Sequence, residues 1–318
     1  MNATKKAMIA DCDHASIDIE REILKDLCPE LPWLNCKTED EVIAHCGGAA
    51  ALLIQYAPMT ERVLQSLPEL KIIIRYGVGV DTIDLKAAAK LGIIASNVPD
   101  YGTEEVSDHA LGLYLSLSRK ILKANQSIRE GIWDFRELRP VHRHQILTMG
   151  IIGLGRIGGA MARKAHGIGM NIVAYDPTHG DLPVPDYIRM LGLDELLTNA
   201  DVVSVHCPLN DSTRNLLDEK HLGMMKSSAY LINTARGSIV NEVALEKMLF
   251  EGKLAGAAFD VFSKEPAPTD HPLLRHDNFI CTPHMAWHSE ESAVELKRKA
   301  AEEARRILLD QAPLYQVN

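Results

Sequence analysis

Short apolar segments alternate with amphipathic segments along both halves of the chain. Each apolar segment is four to six residues long, which is typical of strands buried on both faces. Because strands that alternate with helices usually pair in parallel, the pattern predicts an α/β protein. In the first half the predicted strands are Ala7–Ala10, Ala51–Gln55, Lys71–Arg75 and Gly92–Ala95. In the second half they are Met149–Ile152, Asn171–Tyr175, Asp201–His206, Ala229–Asn233, Ala255–Asp260 and Phe279–Thr282.

A glycine-rich loop, Gly153-Leu154-Gly155-Arg156-Ile157-Gly158, joins one predicted strand to a predicted helix, and Asp176 ends the next strand. This arrangement is the dinucleotide-binding fingerprint. Gly153 permits the tight turn, Gly155 lets the backbone approach a pyrophosphate, and Gly158 lets helix and strand pack closely. The helix N-terminus offers N–H groups to the phosphates. Because Asp176 can accept hydrogen bonds from a ribose diol and repels a 2′-phosphate, the predicted cofactor is NAD rather than NADP.

Two segments of the chain are typical of connections between domains. The first is Pro99-Asp100-Tyr101-Gly102, after which Thr103 is placed to cap a helix. The second lies near Pro283, before a charged helix predicted from about Ser289 to Leu309. If that helix returns to the first half, the first domain is discontinuous. We therefore predict two doubly wound parallel-sheet domains. They are a flavodoxin-like substrate domain (residues 1–99 plus 288–318) and a Rossmann NAD-binding domain (residues 100–287).

The apolar stripe of the helix after Thr103 is predicted to be Val106, Ala110, Leu113, Leu117 and Ile121.

Composition narrows the possible function classes. The chain is 46% hydrophobic and 24% charged, as globular proteins are, and no apolar run is long enough to span a membrane. A net charge of −9 argues against a nucleic-acid partner. The six cysteines form no Cys-x-x-Cys pair, which favours a cytoplasmic location. Neither Asp11-Cys12-Asp13-His14 nor His142-Arg143-His144 has the spacing of a zinc site, so no metal is predicted.

Candidate catalytic groups follow three predicted strands of the second half. In doubly wound folds, ligands bind beyond the carboxyl ends of the strands, and Arg236, Glu265 and His284 all lie there. Arg236 can hold a carboxylate and polarise the neighbouring carbonyl. His284 can exchange a proton with that carbonyl oxygen, while Glu265 orients the imidazole and favours its protonated form. These groups suit the reduction of a 2-keto acid by a nicotinamide cofactor.

A glycine-rich turn follows a strand of the first half as well. Lys71–Arg75 runs into Tyr76-Gly77-Val78-Gly79. Consecutive backbone N–H groups at Gly77, Val78 and Gly79 could hold the second oxygen of the same carboxylate, as an anion nest does.

These motifs, taken in order, resemble the D-isomer-specific 2-hydroxyacid dehydrogenase family over nearly the whole chain. The resemblance rests on the glycine loop with Asp176, and on Asn233–Gly237, Asp260–Phe262 with Glu265-Pro266, and Thr282-Pro283-His284. It implies that Arg236, Glu265 and His284 are the catalytic residues. It also implies two domains that close on a cleft and a homodimer built largely on the nucleotide domains. Further cofactor contacts are implied at Thr103, Arg156, Ile157, Cys207, Pro208, Thr213, Thr234, Ala235 and Asp260.

Two stretches, Ile74–Gly79 and Ile280–Trp287, are similar to the C-terminal-binding protein branch of that family. This similarity implies that Arg75 contacts the substrate carboxylate and that Trp287 walls the pocket. An indole wall would favour an apolar or aromatic 2-keto acid. The alternative for Trp287 is simple core packing at the domain junction.

The expected function is therefore an NAD-dependent D-2-hydroxyacid dehydrogenase that acts as a 2-keto acid reductase. Two alternatives stay open. One is an NAD(H)-sensing protein that binds a partner through its first domain, as the corepressors of the C-terminal-binding protein branch do. The other is a phosphoglycerate dehydrogenase-like enzyme, although Leu53–Tyr56 lacks the basic residue that a phosphate favours.

Overall fold

Parallel strands form two separate sheets, one of four strands and one of seven, within the residues that the computed structural model describes, 6–180 and 182–318. The chain divides into unit 1 (Met1–Gly102 with Ser289–Asn318) and unit 2 (Thr103–His288). The smaller sheet lies in unit 1 and the larger in unit 2. The boundaries expected from the sequence, after residues 99 and 287, lie within three residues of these.

The strands are β1 (Lys6–Ile9), β2 (Ala49–Ile54), β3 (Ile72–Arg75), β4 (Ile94–Ser96), β5 (Thr148–Ile152), β6 (Asn171–Tyr175), β7 (Ile188–Met190), β8 (Val202–Val205), β9 (Tyr230–Asn233), β10 (Gly256–Phe259) and β11 (Phe279–Cys281). The helices are α1 (Asp18–Leu24), α2 (Glu39–His45), α3 (Glu61–Gln65), α4 (Leu85–Lys90), α5 (Thr103–Ser118), α6 (Ile121–Arg129), α7 (Arg156–Gly167), α8 (Leu193–Asn199), α9 (Glu219–Met224), α10 (Glu242–Phe250) and α11 (Glu290–Leu308). Among the described residues, no helix combines the length and apolarity needed to cross a membrane.

The sheet of unit 1 has the order β1-β2-β3-β4, with all strands parallel. A short segment at Trp33 pairs with Ile9 on the outer side of β1. When that segment is counted as a strand, the order becomes 2-1-3-4-5, which is the flavodoxin-like order. All six residues of β2 are buried, because the strand lies between two others and is covered on both faces. The predicted fold of the first half is therefore confirmed.

The C-terminal segment completes the sheet of unit 1. Ser96, at the end of β4, donates a hydrogen bond to Glu303 of α11 at 2.9 Å. The same Glu303 carboxylate accepts the N–H groups of Leu314 and Tyr315, which turns the chain back toward β4. The Asn318 side chain then bonds to the backbone at β4, accepting the Ala95 N–H within the strand and donating to the carbonyl of Ile93, which directly precedes it.

The sheet of unit 2 has the order β11-β10-β9-β8-β5-β6-β7. Counted from β5, this order is 3-2-1-4-5-6 with a seventh strand added, so the predicted Rossmann arrangement is confirmed. The sequence gives no sign of β7. That strand has three residues, of which only Ile188 is buried, so it lacks the apolar run by which the other strands are predicted.

Two details of the predicted helices are wrong. Thr103 is the first residue of α5 rather than a residue that precedes the helix. Ile121 does not continue the stripe of α5, because Lys120 adopts a left-handed backbone (φ 57°) and ends the helix. Ile121 instead begins α6, where it is exposed. The other four members of the stripe are buried as predicted.

Candidate functional site

The glycine loop of unit 2 is packed so tightly that two of its glycines cannot carry a side chain. Gly153 has φ +91°, and a Cβ there would lie 2.6 Å from the backbone nitrogen of Cys207. A Cβ on Gly158 would lie 1.9 Å from the Gly153 carbonyl oxygen. A Cβ on Gly155, by contrast, would meet nothing within 4 Å. The loop therefore holds α7 against β5 and leaves open space at the helix N-terminus, as a pyrophosphate needs.

Asp176 directly follows β6 and is tied to that loop. Its carboxylate accepts the Leu154 N–H at 2.9 Å, and also the N–H and hydroxyl of Thr178 at 2.9 and 2.8 Å. Partial burial raises the pKa of Asp176, but these hydrogen bonds outweigh it, so the pKa lies below its ordinary value. Asp176 is therefore a fixed, ionised acceptor beside the loop. A carboxylate has about four acceptor positions, so it retains capacity for a ribose hydroxyl.

The other predicted cofactor residues of unit 2 lie at the start of a helix or after a strand. Thr234 is the most informative, since its hydroxyl is buried and has no hydrogen-bond partner among the described residues. A buried unpaired hydroxyl is costly unless a ligand satisfies it. Together with the open space at Gly155, this orphaned group fits a dinucleotide. Thr103 begins α5, Arg156 and Ile157 begin α7, Cys207, Pro208 and Thr213 follow β8, and Ala235 follows β9.

His284 and Glu265 form a close pair beyond β11 and β10. The His284 Nδ1 lies 2.6 Å from Glu265 Oε2, while Glu265 Oε1 accepts the Phe262 N–H at 2.9 Å. Partial burial raises the pKa of Glu265, but the bond to His284 and the positive charges of His284 and Arg236 lower it overall. The carboxylate is thus ionised and can accept Nδ1–H, which leaves Nε2 of the imidazole for proton exchange. His284 also has φ +53°, an unusual backbone for a histidine.

Arg236 reaches the same edge of the sheet through a close backbone approach. A Cβ on Gly237 would lie 2.0 Å from the carbonyl carbon of Phe262, so only glycine allows the loop after β9 to touch the loop after β10. Arg236 Nη1 donates to the Ala235 carbonyl at 2.8 Å, which fixes the side chain near the backbone. The structure therefore brings all three predicted catalytic residues together at the carboxyl edge of one sheet.

A buried carboxylate, whose supporting role the residue pattern does not reveal, lies beneath the turn that carries His284. Asp260 is 1% exposed, and its carboxylate accepts the Thr282 hydroxyl at 2.5 Å and the N–H groups of Met285 and Ala286 at 3.0 and 2.8 Å. These bonds hold both ends of the turn that carries His284. His109 of α5 adds a contact of 2.9 Å to the Thr282 hydroxyl. A cofactor contact by Asp260 itself stays a prediction.

The predicted anion turn of unit 1 contains a guanidinium packed on a glycine. A Cβ on Gly77, which has φ +125°, would lie 1.7 Å from Arg75 Nη1. Val78 is exposed, and the turn is held by the Asn97 amide, which donates to the Val78 carbonyl at 2.7 Å. The Arg75 guanidinium and the turn Gly77–Gly79 therefore lie next to each other in unit 1. In unit 2, Trp287 is half-buried and its ring meets His288 edge-on at 5.4 Å.

Comparison with known proteins identifies relatives over most of the chain. The family model for the "D-isomer specific 2-hydroxyacid dehydrogenase, NAD binding domain" matches residues 111–286. A glyoxylate reductase of Korarchaeum cryptofilum is 37% identical over 297 residues, which cover 89% of this chain and 85% of that protein. A D-3-phosphoglycerate dehydrogenase of Methanocaldococcus jannaschii is 36% identical over 279 residues, covering 85% of this chain and 52% of that protein. This chain thus spans about half the length of the second relative.

Solved structures of the same fold include two with bound ligands. An acyclic imino acid reductase in complex with NADPH and D-Arg has a TM-score of 0.90 at 26% identity, over 98% of this chain and 100% of that one. A D-lactate dehydrogenase from Aquifex aeolicus, complexed with NAD and lactic acid, has a TM-score of 0.85 at 27% identity, over 96% of both chains.

Proposed function

Since the chain belongs to the D-isomer specific 2-hydroxyacid dehydrogenase family, we propose that it reduces a 2-keto acid with Arg236, Glu265 and His284 as its catalytic residues. The observation that carries this assignment is the 2.6 Å contact between His284 and Glu265 beside Arg236. An ionised carboxylate, an imidazole and a guanidinium on one sheet edge are the groups that the reduction of a keto acid requires.

Each of the three side chains has a separate task in this proposal. Arg236 binds the substrate carboxylate through its fork of donors and polarises the neighbouring carbonyl. His284 Nε2 gives a proton to the carbonyl oxygen during reduction and takes it back in the reverse direction. Glu265 holds Nδ1–H, which fixes the tautomer and stabilises the imidazolium. Asp260 is a positioning residue, because it anchors the turn that carries His284.

NAD is the cofactor of the family, and when bound it supplies or accepts the hydride at C2. We propose that the α7 N-terminus and Gly155 hold its pyrophosphate, that Asp176 accepts a ribose hydroxyl, and that Thr234 donates its unpaired hydroxyl to the cofactor. In unit 1, Arg75 and the N–H groups of Gly77–Gly79 are proposed to bind the substrate carboxylate.

The proposal is tested with His284→Asn. Asparagine tolerates positive φ well, so this variant keeps the backbone of the turn while it removes the titratable ring. We expect kcat to fall by roughly 10²–10⁴, which is the usual contribution of a general acid–base group. NADH affinity, measured by titration of protein fluorescence, should be unchanged. Unaltered turnover of 2-keto acids by this variant would refute the assignment.

A phosphoglycerate dehydrogenase-like activity is a second candidate, supported by the relative from M. jannaschii. The residues after β1 and β2 of unit 1 argue against it, because Asp13 and Tyr56 stand there instead of a basic side chain. Turnover of 3-phosphohydroxypyruvate and of neutral 2-keto acids, compared under the same conditions, distinguishes the two activities.

We further propose a cytoplasmic homodimer. The six cysteines are free thiols, as expected in a reducing compartment. In unit 2 the segment from α6 to β5 exposes several large apolar side chains, which supports an interface there. They include Ile121, Leu122, Ile128, Trp133, Phe135 and Ile146. Light scattering of the wild type and of Trp133→Asp tests this, since the substitution should favour the monomer.

A further inference from the structure

Three strands of unit 1 end at one edge of their sheet, and the residues there form a polar rim. Asp13 follows β1, Gln55 and Tyr56 follow β2, and Arg75 ends β3. Because β2 pairs with β1 on one side and with β3 on the other, these four residues, hereafter the unit 1 rim, lie side by side.

A ring of hydrogen bonds fixes the Asp13 carboxylate on this rim. The Asp13 N–H donates to Gln55 Oε1 at 2.9 Å, the Gln55 amide donates to the Tyr56 hydroxyl at 3.2 Å, and that hydroxyl donates to Asp13 Oδ2 at 3.2 Å. Beneath the ring, the buried carboxylate of Asp11 accepts the backbone N–H groups of Gln55 and Tyr56. The Asp13 side chain nevertheless stays 54% exposed. It is therefore held in position but open to a ligand.

Opposite charges act on the Tyr56 ring. Partial burial and the negative charge of Asp13 raise the pKa of Tyr56, which is half exposed, the positive charge of Arg75 opposes them, and the result is about 12. The phenol consequently stays protonated and continues to donate to Asp13 at neutral pH. Tyr56 thus lies within the electrostatic reach of a carboxylate and of the guanidinium that packs over Gly77.

We propose that Asp13 is a specificity-determining residue that selects 2-keto acids whose side chain ends in a cation, such as a guanidinium or an ammonium group. The inference rests on the proposed function, in which Arg75 holds the substrate carboxylate. A substrate bound there presents its carboxylate to Arg75, and the next fixed charge along the rim is the acceptor Asp13. A cationic end gains a charge-assisted hydrogen bond, whereas a phosphate or carboxylate end meets a like charge. The side chain of the proposed substrate therefore has an apolar stem, as expected from the sequence, and a cationic end.

The test compares three 2-keto acids by NADH oxidation. They are 5-guanidino-2-oxopentanoate (cationic end), 2-oxohexanoate (neutral) and 2-oxoglutarate (anionic). With wild-type protein we expect kcat/KM to be about tenfold higher for the guanidino acid than for 2-oxohexanoate, as one hydrogen bond to a charged group gives, and lowest for 2-oxoglutarate. In Asp13→Asn, which keeps the size of the side chain, the ratio of the first two should fall about tenfold.

Two further variants make the result specific. Asp40→Asn removes the same charge from α2 of unit 1, where Asp40 is 80% exposed and pairs with Arg62, so the ratio should stay at its wild-type value. Tyr56→Phe keeps the charge but removes the hydroxyl that fixes Asp13, so the ratio should fall less than in Asp13→Asn. A ratio that does not depend on Asp13, or a preference for 2-oxoglutarate, overturns the specificity assignment alone. Absence of turnover on all three acids in the wild type would overturn the proposed function and this inference together.

Discussion

Replacing Gly158 with alanine should damage both the stability of the protein and its affinity for NADH. The added Cβ would lie 1.9 Å from the Gly153 carbonyl oxygen, whereas such a contact ordinarily measures about 3.3 Å or more. The first turn of α7 must therefore retreat by about 1.4 Å, the difference between these two distances. Overpacking of this kind costs about 1–3 kcal/mol of unfolding free energy.

The same movement takes the N–H groups of the α7 N-terminus away from the place proposed for the pyrophosphate. Loss of one hydrogen bond to a charged group is worth about 1.5–3 kcal/mol, so NADH affinity should fall about 10- to 100-fold. Fluorescence titration measures the affinity, and thermal unfolding of the protein without NADH measures the stability.

Two neighbouring glycines provide matched controls. A Cβ on Gly159, inside the same helix, meets nothing within 4 Å. Gly159→Ala should therefore leave NADH affinity unchanged and stabilise the protein by about 0.5–1 kcal/mol, since alanine is the better helix residue. Gly155→Ala also has room, but its methyl group would occupy the open space proposed for the pyrophosphate, so NADH binding should weaken without loss of stability. If Gly158→Ala and Gly159→Ala behave alike in both assays, the packing argument is wrong.

The remaining predictions concern the cofactor and acid stability. Asp176→Ala should reduce the preference for NADH over NADPH, because the carboxylate that repels a 2′-phosphate is gone; a wild type that already prefers NADPH would contradict the role of Asp176. Burial lowers the pKa of His14 from 6.5 to about 4. Between these two pH values, the unfolded chain binds a proton at His14 and the folded protein does not. His14 therefore contributes its full share of stability above pH 6.5 and loses it as the pH falls toward 4. The variant His14→Phe retains a ring against Tyr76. In urea unfolding, its free energy of unfolding should fall by about 2–3 kcal/mol less than that of the wild type when the pH is lowered from 7 to 4.5. Equal losses in both proteins would show that His14 is not the responsible group.

The features that the sequence predicts well depend on local requirements of the backbone. The glycine loop belongs to this class, because each glycine is demanded by a turn or by a contact a few residues away. The pairing of His284 with Glu265 is also predictable, since both follow strands that end at one sheet edge. Neither conclusion needs knowledge of distant side chains.

The features that the sequence does not reveal depend on contacts between distant residues or on very short elements. His109 and Thr282 are 173 positions apart, and the helix pattern that places His109 on α5 does not show which strand end it meets. The strand β7 offers only one buried side chain, which is too little for a periodic signal. The position of Asp13 on the unit 1 rim depends on hydrogen bonds with Gln55 and Tyr56, which lie more than forty residues further along the chain.

The way α11 and the C-terminal segment complete the sheet of unit 1 has a consequence for synthesis of the protein. The hydrogen bonds of Ser96 with Glu303 and of Ala95 with Asn318 can form only after every residue of Thr103–His288 has been made. On the ribosome, unit 2 therefore has its whole sequence while unit 1 still lacks its closing helix. The first hundred residues emerge early but stay incomplete, with the apolar face that α11 covers exposed until α11 has been made. We therefore expect chaperones to bind mainly the first hundred residues during expression. On stalled ribosomes, unit 2 should become resistant to proteolysis before unit 1 does.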